Sequence, residues 1–325
     1  MSPQPLGVAV AGLGFGEKVH LPALAAAPDL EAVALWHPRQ ERLDAATAAH
    51  GLKGFSDWDA LLADPAVDAV IIATPPAPRF DLARRALEAG KHLLLEKPIA
   101  LHADQARELQ RLALARGLSV AVDYEYRAVP LFMQAAQLLQ TGAVGTPWLV
   151  KLDWLMGSRA DPQRGWNWYA QADQGGGVIG ALGTHAMDML AWLIGPLGAV
   201  QALNSVSIKQ RPHPDGGLAA VDAPDVSLLQ TVAHWQGRQD LPVPAQVSLS
   251  SVSRNGRGFC LDVVGSSGSL LLSSTNQKDY VHGFELQHAP LGEPFRAVEA
   301  DADLAYPQTW SDGRIAPVVR VLGWC

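Results

Sequence analysis

Cysteine is scarce in this chain. Cys260 and Cys325 are the only two, too few for a disulfide framework and without the spacing of a thiolate metal site. No metal is expected, and a reducing cytoplasm fits this usage. Positive charge is also in short supply, with 25 Lys and Arg against 32 Asp and Glu and a formal net charge of −7. No stretch gathers basic side chains into the stripe that a phosphate backbone requires, which argues against nucleic acid as a partner. Long uninterrupted apolar runs are missing too. The opening MSPQPLGVAVAGLGFG has no basic region leading into an apolar one and reads as a first strand, not a secretory leader. The most apolar later stretch, VIGALGTHAMDMLAWLIG, carries His185 and Asp188, which would be costly in lipid. It reads as a buried helix, and no membrane association is expected.

What is present is ample apolar material. The chain has 325 residues, 48% hydrophobic and 18% charged, more than one domain usually holds. From Leu6 to about Val122, short β-rich runs (LGVAVAG, EAVALW, DAVIIAT, KHLLLE, LSVAVD) alternate with helical stretches such as ARRALEAG and ADQARELQRLALARG. That alternation predicts a doubly wound α/β domain with a parallel sheet over 1–123. After Asp123 come a helix near LFMQAAQLLQTG, an apolar strand PWLVKLDWLM, a glycine-led helix, and then strand after strand from AVQALNSVSIKQ to GFELQHAP. Strands following strands with polar turns predict an α+β domain, 124–325, built on a large, mostly antiparallel sheet. HPDGGLAAVDAPD and HAPLGEPFRAVEADADLAYP read as loops, and the chain ends at VLGWC inside what reads as a helix.

Gly12, Gly14 and Gly16 lie where the first strand turns into the first helix, so backbone amides there are placed to cradle a pyrophosphate. The spacing is G-x-G-x-G, because the third position of the usual fingerprint is Glu17. An ordinary glycine-rich βα turn is the rival reading. At the end of the second strand, where an acidic residue normally bonds the ribose hydroxyls of NAD, the chain has Trp36 and His37, with Arg39 and Arg42 close by. NADP is therefore favoured over NAD, the alternative being that both arginines are simply solvated.

GKHLLLEKPIA (Gly90 to Ala100), with AGLGFGEKVHLPAL and IIATPP before it and GGGVIGALGTHAMDMLAWLIG after it, resembles the glucose-fructose oxidoreductase and inositol dehydrogenase (Gfo/Idh/MocA) family. The resemblance runs over nearly the whole chain in the expected order. It implies an NAD(P)-dependent dehydrogenase acting on a sugar, cyclitol or related polyol, with Lys97 at the reacting carbon–oxygen group, where a positioned lysine bonds the oxygen and stabilises developing charge. Glu96 would hold the lysine and the cofactor ribose, and Pro98 makes the Lys97–Pro98 bond tolerant of the cis geometry the family's motif uses. Phe15 in the glycine loop, and Thr74, Pro75 and Pro76 with Arg79, would line the cofactor. His185 matches the family histidine and suits proton exchange near neutral pH, with Asp188 three residues on along the same helical face. Tyr126, Arg127, Trp166 and Trp168 are expected at the substrate, aromatic faces with a polar tip being suited to sugar rings. Tyr124, Trp154 and Tyr169 belong to the same aromatic set, Trp154 reading as packing. Glycines 175–177 would allow close backbone approach to substrate or a tight turn.

Two departures stand out. Where many family dehydrogenases carry an Asp four residues before the histidine, this chain has Ala181, and where many have a histidine after the TPP segment it has Arg79. Ala181 keeps a non-catalytic NAD(P)-binding sensor or scaffold open, alongside an NAD-dependent glycoside hydrolase. The sheet of the second domain is expected to pair copies into a homodimer or homotetramer.

Overall fold

The computed structural model describes residues 5–276, 278–279 and 282–325, and by its contacts the chain divides into two compact units. The first comprises 1–125 together with 310–325, the second 126–309.

In the first unit six strands form one parallel sheet: β1 (Leu6–Ala11), β2 (Leu30–Trp36), β3 (Lys53–Phe55), β4 (Ala69–Ile72), β5 (His92–Glu96) and β6 (Val120–Asp123). Their order is β3-β2-β1-β4-β5-β6, so the chain reverses its winding direction between β1 and β4, the switch point at which such sheets bind ligands. The central strands are apolar runs because both faces of a parallel sheet are covered: Val8, Ala9, Val10 and Ala11 of β1 and Val70, Ile71 and Ile72 of β4 are all buried. The crossovers contain α1 (Leu21–Ala25), α2 (Gln40–His50), α3 (Trp58–Ala63), α4 (Pro76–Glu88) and α5 (Ala103–Arg116). Gly51 and Gly117 end α2 and α5 in the left-handed conformation. All five expected strands are present. β3 was not expected, since KGF is three residues at a sheet edge with no alternation to betray it.

The second unit carries α6 (Pro130–Gln140) and α7 (Thr184–Leu193) against one sheet of eight strands. In chain order these are β7 (Pro147–Leu155), β8 (Leu197–Ser205), β11 (Val226–His234), β12 (Pro242–Ser250), β13 (Gly258–Gly265), β14 (Gly268–Ser274), β15 (Glu285–Pro290) and β16 (Arg296–Val298), with a separate ribbon of β9 (Gln210–Pro212) and β10 (Leu218–Ala220). Only the β7–β12 pair is parallel; every other pair is antiparallel. Strict alternation puts Val243, Ala245, Val247 and Leu249 of β12 into the core with Leu261 and Val263 of β13 and Leu270 and Leu272 of β14. β10 and β16 fall within the two segments that read as loops, where short pairing overrides Pro/Gly-rich composition.

The last helix, α8 (Ile315–Leu322), packs on α1, and its residues Ile315, Ala316, Val318, Val321 and Leu322 are buried. It therefore falls with the first unit, whereas the sequence pattern assigned everything after 123 to the second. Sequence order alone carries no sign of this return. No helix among the described residues is long and apolar enough to cross a membrane.

Candidate functional site

The three loop glycines do three different things. Gly12 has φ +106°, its N–H donates to the Trp36 carbonyl at 3.1 Å, and a Cβ there would lie 2.7 Å from the Ala73 carbonyl oxygen. Any other residue would break the turn. A Cβ on Gly16 would meet Val10 Cγ1 at 2.8 Å, so this glycine lets the helical turn sit close on β1. Gly14 is exposed, and a Cβ there would have no atom within 4 Å. The space over Gly14 is the clear approach that a pyrophosphate needs, and the loop fits a dinucleotide on this observation. The Phe15 ring packs edge-on to His20 at 5.2 Å and under the Arg314 guanidinium at 5.2 Å.

At the end of β2, Trp36 is buried and packs edge-on against Trp58 with centroids 5.1 Å apart. His37 is only partly covered, and its Nδ1 accepts the Arg39 N–H at 3.0 Å. Burial, followed by the charges of Arg42 and Arg39, lowers its pKa, while the bond to the Arg39 backbone opposes them. No carboxylate occupies this strand end.

The other side of the switch point holds Thr74, Pro75 and Pro76, the prolines opening α4 where a missing N–H costs nothing. Arg79 is one turn on and 2% exposed. Its Nη1 donates to the carbonyls of Glu96 (2.6 Å) and Pro98, and its Nη2 to that of Thr74. Burial pulls this guanidinium down to about 10, with the Glu96 charge opposing. Arg79 thus ties the Thr74 loop to the Glu96–Pro98 loop through backbone carbonyls.

Glu96 ends β5 and is buried; Lys97 follows it, and the Lys97–Pro98 bond is cis. His20 Nε2 lies 3.1 Å from Glu96 Oε1 and 3.7 Å from Asp123 Oδ2, all three residues being buried. Burial works to raise the Glu96 carboxyl, but the hydrogen bond from His20 and the charges of His20, Lys97 and Arg79 hold it below the usual carboxylate range. Asp123 is driven the other way, by burial and then by the charges of Glu96 and Glu125, against the pull of Lys97. Glu125 is pushed up to about 7, chiefly by burial, which outweighs the pull of Lys97. The Lys97 charge thus acts on three buried carboxyl groups at and just after the ends of β5 and β6.

In the second unit, a five-residue π turn (Ile179–Gly183) containing Ala181 leads into α7, which carries His185 and Asp188. His185 is 3% exposed, and its ring lies 5.0 Å from that of Tyr126 and 6.1 Å from that of Trp154. Asp188 takes a bidentate pair from Arg127, Nε at 2.8 Å and Nη2 at 2.6 Å. Tyr126 itself is 4% exposed, among Phe132, Trp154, His185 and Phe284. It is a core residue beneath His185 in this unit, not an open stacking face. Trp154 is core as well. Trp166 donates its indole N–H to the Ala220 carbonyl at 2.9 Å and packs on His213, which pins its loop to the β9–β10 ribbon. Trp168 is half-buried against Tyr169, whose ring carries the Arg159 guanidinium at 3.5 Å. The glycines beside this loop serve packing of the chain on itself: a Cβ on Gly177 (φ +75°) would meet the Pro224 carbonyl oxygen at 2.5 Å.

Three residues escaped the reading of motifs: His20, Asp123 and Glu125. The available signal was acidic residues set directly after the apolar run LSVAV, and a histidine inside the helical turn that follows the glycine loop.

A family profile described as the GFO_IDH_MocA oxidoreductase family, NAD-binding Rossmann fold, matches residues 6–124, and the GFO/IDH/MocA C-terminal domain matches 132–271. An uncharacterised oxidoreductase of Synechocystis sp. is 43% identical over 321 residues, 98% of this chain and 85% of that protein. Levoglucosan dehydrogenase of Pseudarthrobacter phenanthrenivorans is 31% identical over 228 residues, 67% of this chain and 58% of that one. A levoglucosan dehydrogenase solved in complex with NADH and levoglucosan superposes with a TM-score of 0.84 at 25% identity, covering 98% of this chain and 88% of that one. With both halves matched in order and a relative this similar along nearly its whole length, the chain belongs to the Gfo/Idh/MocA family of oxidoreductases with an NAD-binding Rossmann fold.

Proposed function

We propose that the protein is an NAD(P)-dependent dehydrogenase that moves a hydride between a nicotinamide and a secondary hydroxyl or carbonyl of a sugar, cyclitol or related polyol. The observation that carries this is Lys97, set directly after β5 at the C-terminal edge of the parallel sheet, its charge acting on the buried carboxyls of Glu96, Asp123 and Glu125. A lysine so placed is suited to bond a substrate oxygen as its proton leaves. The cofactor supplies the hydride acceptor; the chain supplies the rest. Gly12, Gly14 and Gly16 receive the pyrophosphate through backbone amides, Thr74, Pro75 and Pro76 border the nicotinamide half, and Glu96 holds a ribose hydroxyl and the lysine. In the second unit His185 exchanges a proton with the substrate, Asp188 and Arg127 form a paired polar face for hydroxyls, and Trp168 offers a partly open ring. The levoglucosan dehydrogenases support a cyclic sugar as the substrate class.

NADP is the favoured cofactor, because the β2 end offers no carboxylate to repel a 2′-phosphate and Arg39 and Arg42 stand beside His37. Copies associate as a dimer or tetramer in the cytoplasm through the open sheet face, where Leu203 and Leu228 are cross-strand neighbours 69% and 46% exposed. Light scattering that reports a stable 34.6 kDa monomer at micromolar concentration rejects the association. The function itself is tested by following nicotinamide absorbance with a panel of cyclic sugars, cyclitols and polyols. Turnover with at least one member and a tighter dissociation constant for NADP are expected; no turnover with either cofactor overturns the reading. Ala181, in place of the family aspartate, specifically favours the sensor as the second reading, in which cofactor binds and nothing is oxidised.

A further inference from the structure

Behind Lys97 two carboxyl groups share a space too small and too dry for two charges. Glu96 and Asp123 are register neighbours at the ends of β5 and β6, and with His20 they place one donor or acceptor atom each within 4.8 Å of one another. Asp123 has no exposed surface, and neither of its oxygens has a hydrogen-bond donor among the described residues. A buried ionised carboxylate without a donor is a state proteins avoid, and two adjacent ones resolve it by keeping a single proton between them.

We propose that Asp123 is a positioning residue of the nicotinamide site: as a neutral acid it donates its proton to the Glu96 carboxylate and, with His20 on the other side, fixes that carboxylate beside Lys97. The surroundings decide which of the two is the acid. Glu96 has the His20 bond at 3.1 Å and faces the cations Lys97 and Arg79; Asp123 faces Glu96 and Glu125, with Cys325 from the C-terminal segment nearby, and is opposed by Lys97 and by His20 at the longer distance of 3.7 Å. Burial raises Asp123 well above the ordinary carboxyl range and the neighbouring negative charges add to it. The inference rests on Glu96 belonging to the cofactor site, but the protonation itself does not.

The experiment is infrared spectroscopy of the full-length protein at neutral pH, unlabelled and with ¹³C-aspartate, followed by cofactor titration across pH. A protonated-carboxyl C=O band that shifts with the label and vanishes in Asp123→Asn is expected. Asp225, the other buried aspartate among the described residues, accepts the Ser207 and Ile208 N–H groups, whereas neither Asp123 oxygen has such a donor, so the wild-type band is assignable even if the variant fails to fold. Absence of the band overturns the proposal, as does one stoichiometric metal ion in the purified protein, which would occupy the proton's place. Asp123→Asn keeps a donor and is expected to bind NAD(P) as wild type at neutral pH while losing the wild-type weakening at alkaline pH. Asp123→Ala is expected to bind about tenfold more weakly, the scale of one hydrogen bond. Unchanged affinity in Asp123→Ala also overturns the positioning role. If no form binds cofactor, the proposed function fails and the infrared result still stands by itself.

Discussion

Replacing Arg79 with methionine removes a side chain that joins the Thr74 loop to the Glu96–Pro98 loop. Three carbonyl acceptors lose a charged donor, at about 2 kcal/mol each. The variant also removes a guanidinium that was costly to bury: a fall from 12.5 to about 10 corresponds to about 3 kcal/mol recovered, at roughly 1.4 kcal/mol per pKa unit. The difference is a net loss of about 3 kcal/mol. For a unit of this size that is a fall of about 6–12 °C in the melting temperature of the first unit, read by scanning calorimetry as the transition that cofactor shifts upward. Cofactor affinity falls with it, because both loops border the proposed nicotinamide half. Arg79→Lys retains the charge, but a single ammonium cannot reproduce the planar fork that reaches all three carbonyls, so it also melts lower than wild type. An Arg79→Met protein that melts at the wild-type temperature refutes the reasoning, since the backbone carbonyls would then have no need of the guanidinium.

Two further outcomes follow from the same site. Gly14→Glu puts a carboxylate into the open space over the loop and is expected to abolish measurable NAD(P) binding while leaving the fold intact; calorimetric titration at wild-type affinity would sink the pyrophosphate assignment. Glu125 has its folded pKa raised, so its neutral form is the one favoured by folding: its contribution is complete below the unfolded value of 4.5 and is lost as pH rises towards about 7. Wild type should lose up to about 3 kcal/mol over that window from this group, and Glu125→Gln should flatten the slope in urea titrations at pH 5 and 8; an unchanged slope contradicts it.

The parallel sheet was readable because its strands are buried on both faces and spell apolar runs, while the second sheet was readable from alternation. Legibility failed where contacts come from elsewhere in the chain. β3 has β2 as its one strand neighbour, and α8 returns to α1 across some three hundred residues, a pairing no local pattern encodes. At the site, Gly12 and Lys97 announce themselves by motif. An aromatic has the same letters whether its ring is open or packed, so the packing of Tyr126 against Phe132 and Trp154, and of Trp166 against His213, could not be read from the sequence. His20 and Asp123 meet Glu96 only once three separate elements have been brought together, so their chemistry belongs to the fold and to no motif.

The central claim, that Lys97 handles the proton of an alcohol being oxidised, is tested most directly by Lys97→Met. Its steady-state turnover should be compared with that of wild type on the best sugar or polyol of the panel, with cofactor affinity measured on the same samples. The account predicts unchanged folding, cofactor bound within a few-fold of wild type, and turnover lower on the order of a hundredfold or more, the scale of removing one acid–base or charge-stabilising group. A Lys97→Met enzyme turning over near the wild-type rate would contradict it and place the chemistry on another residue.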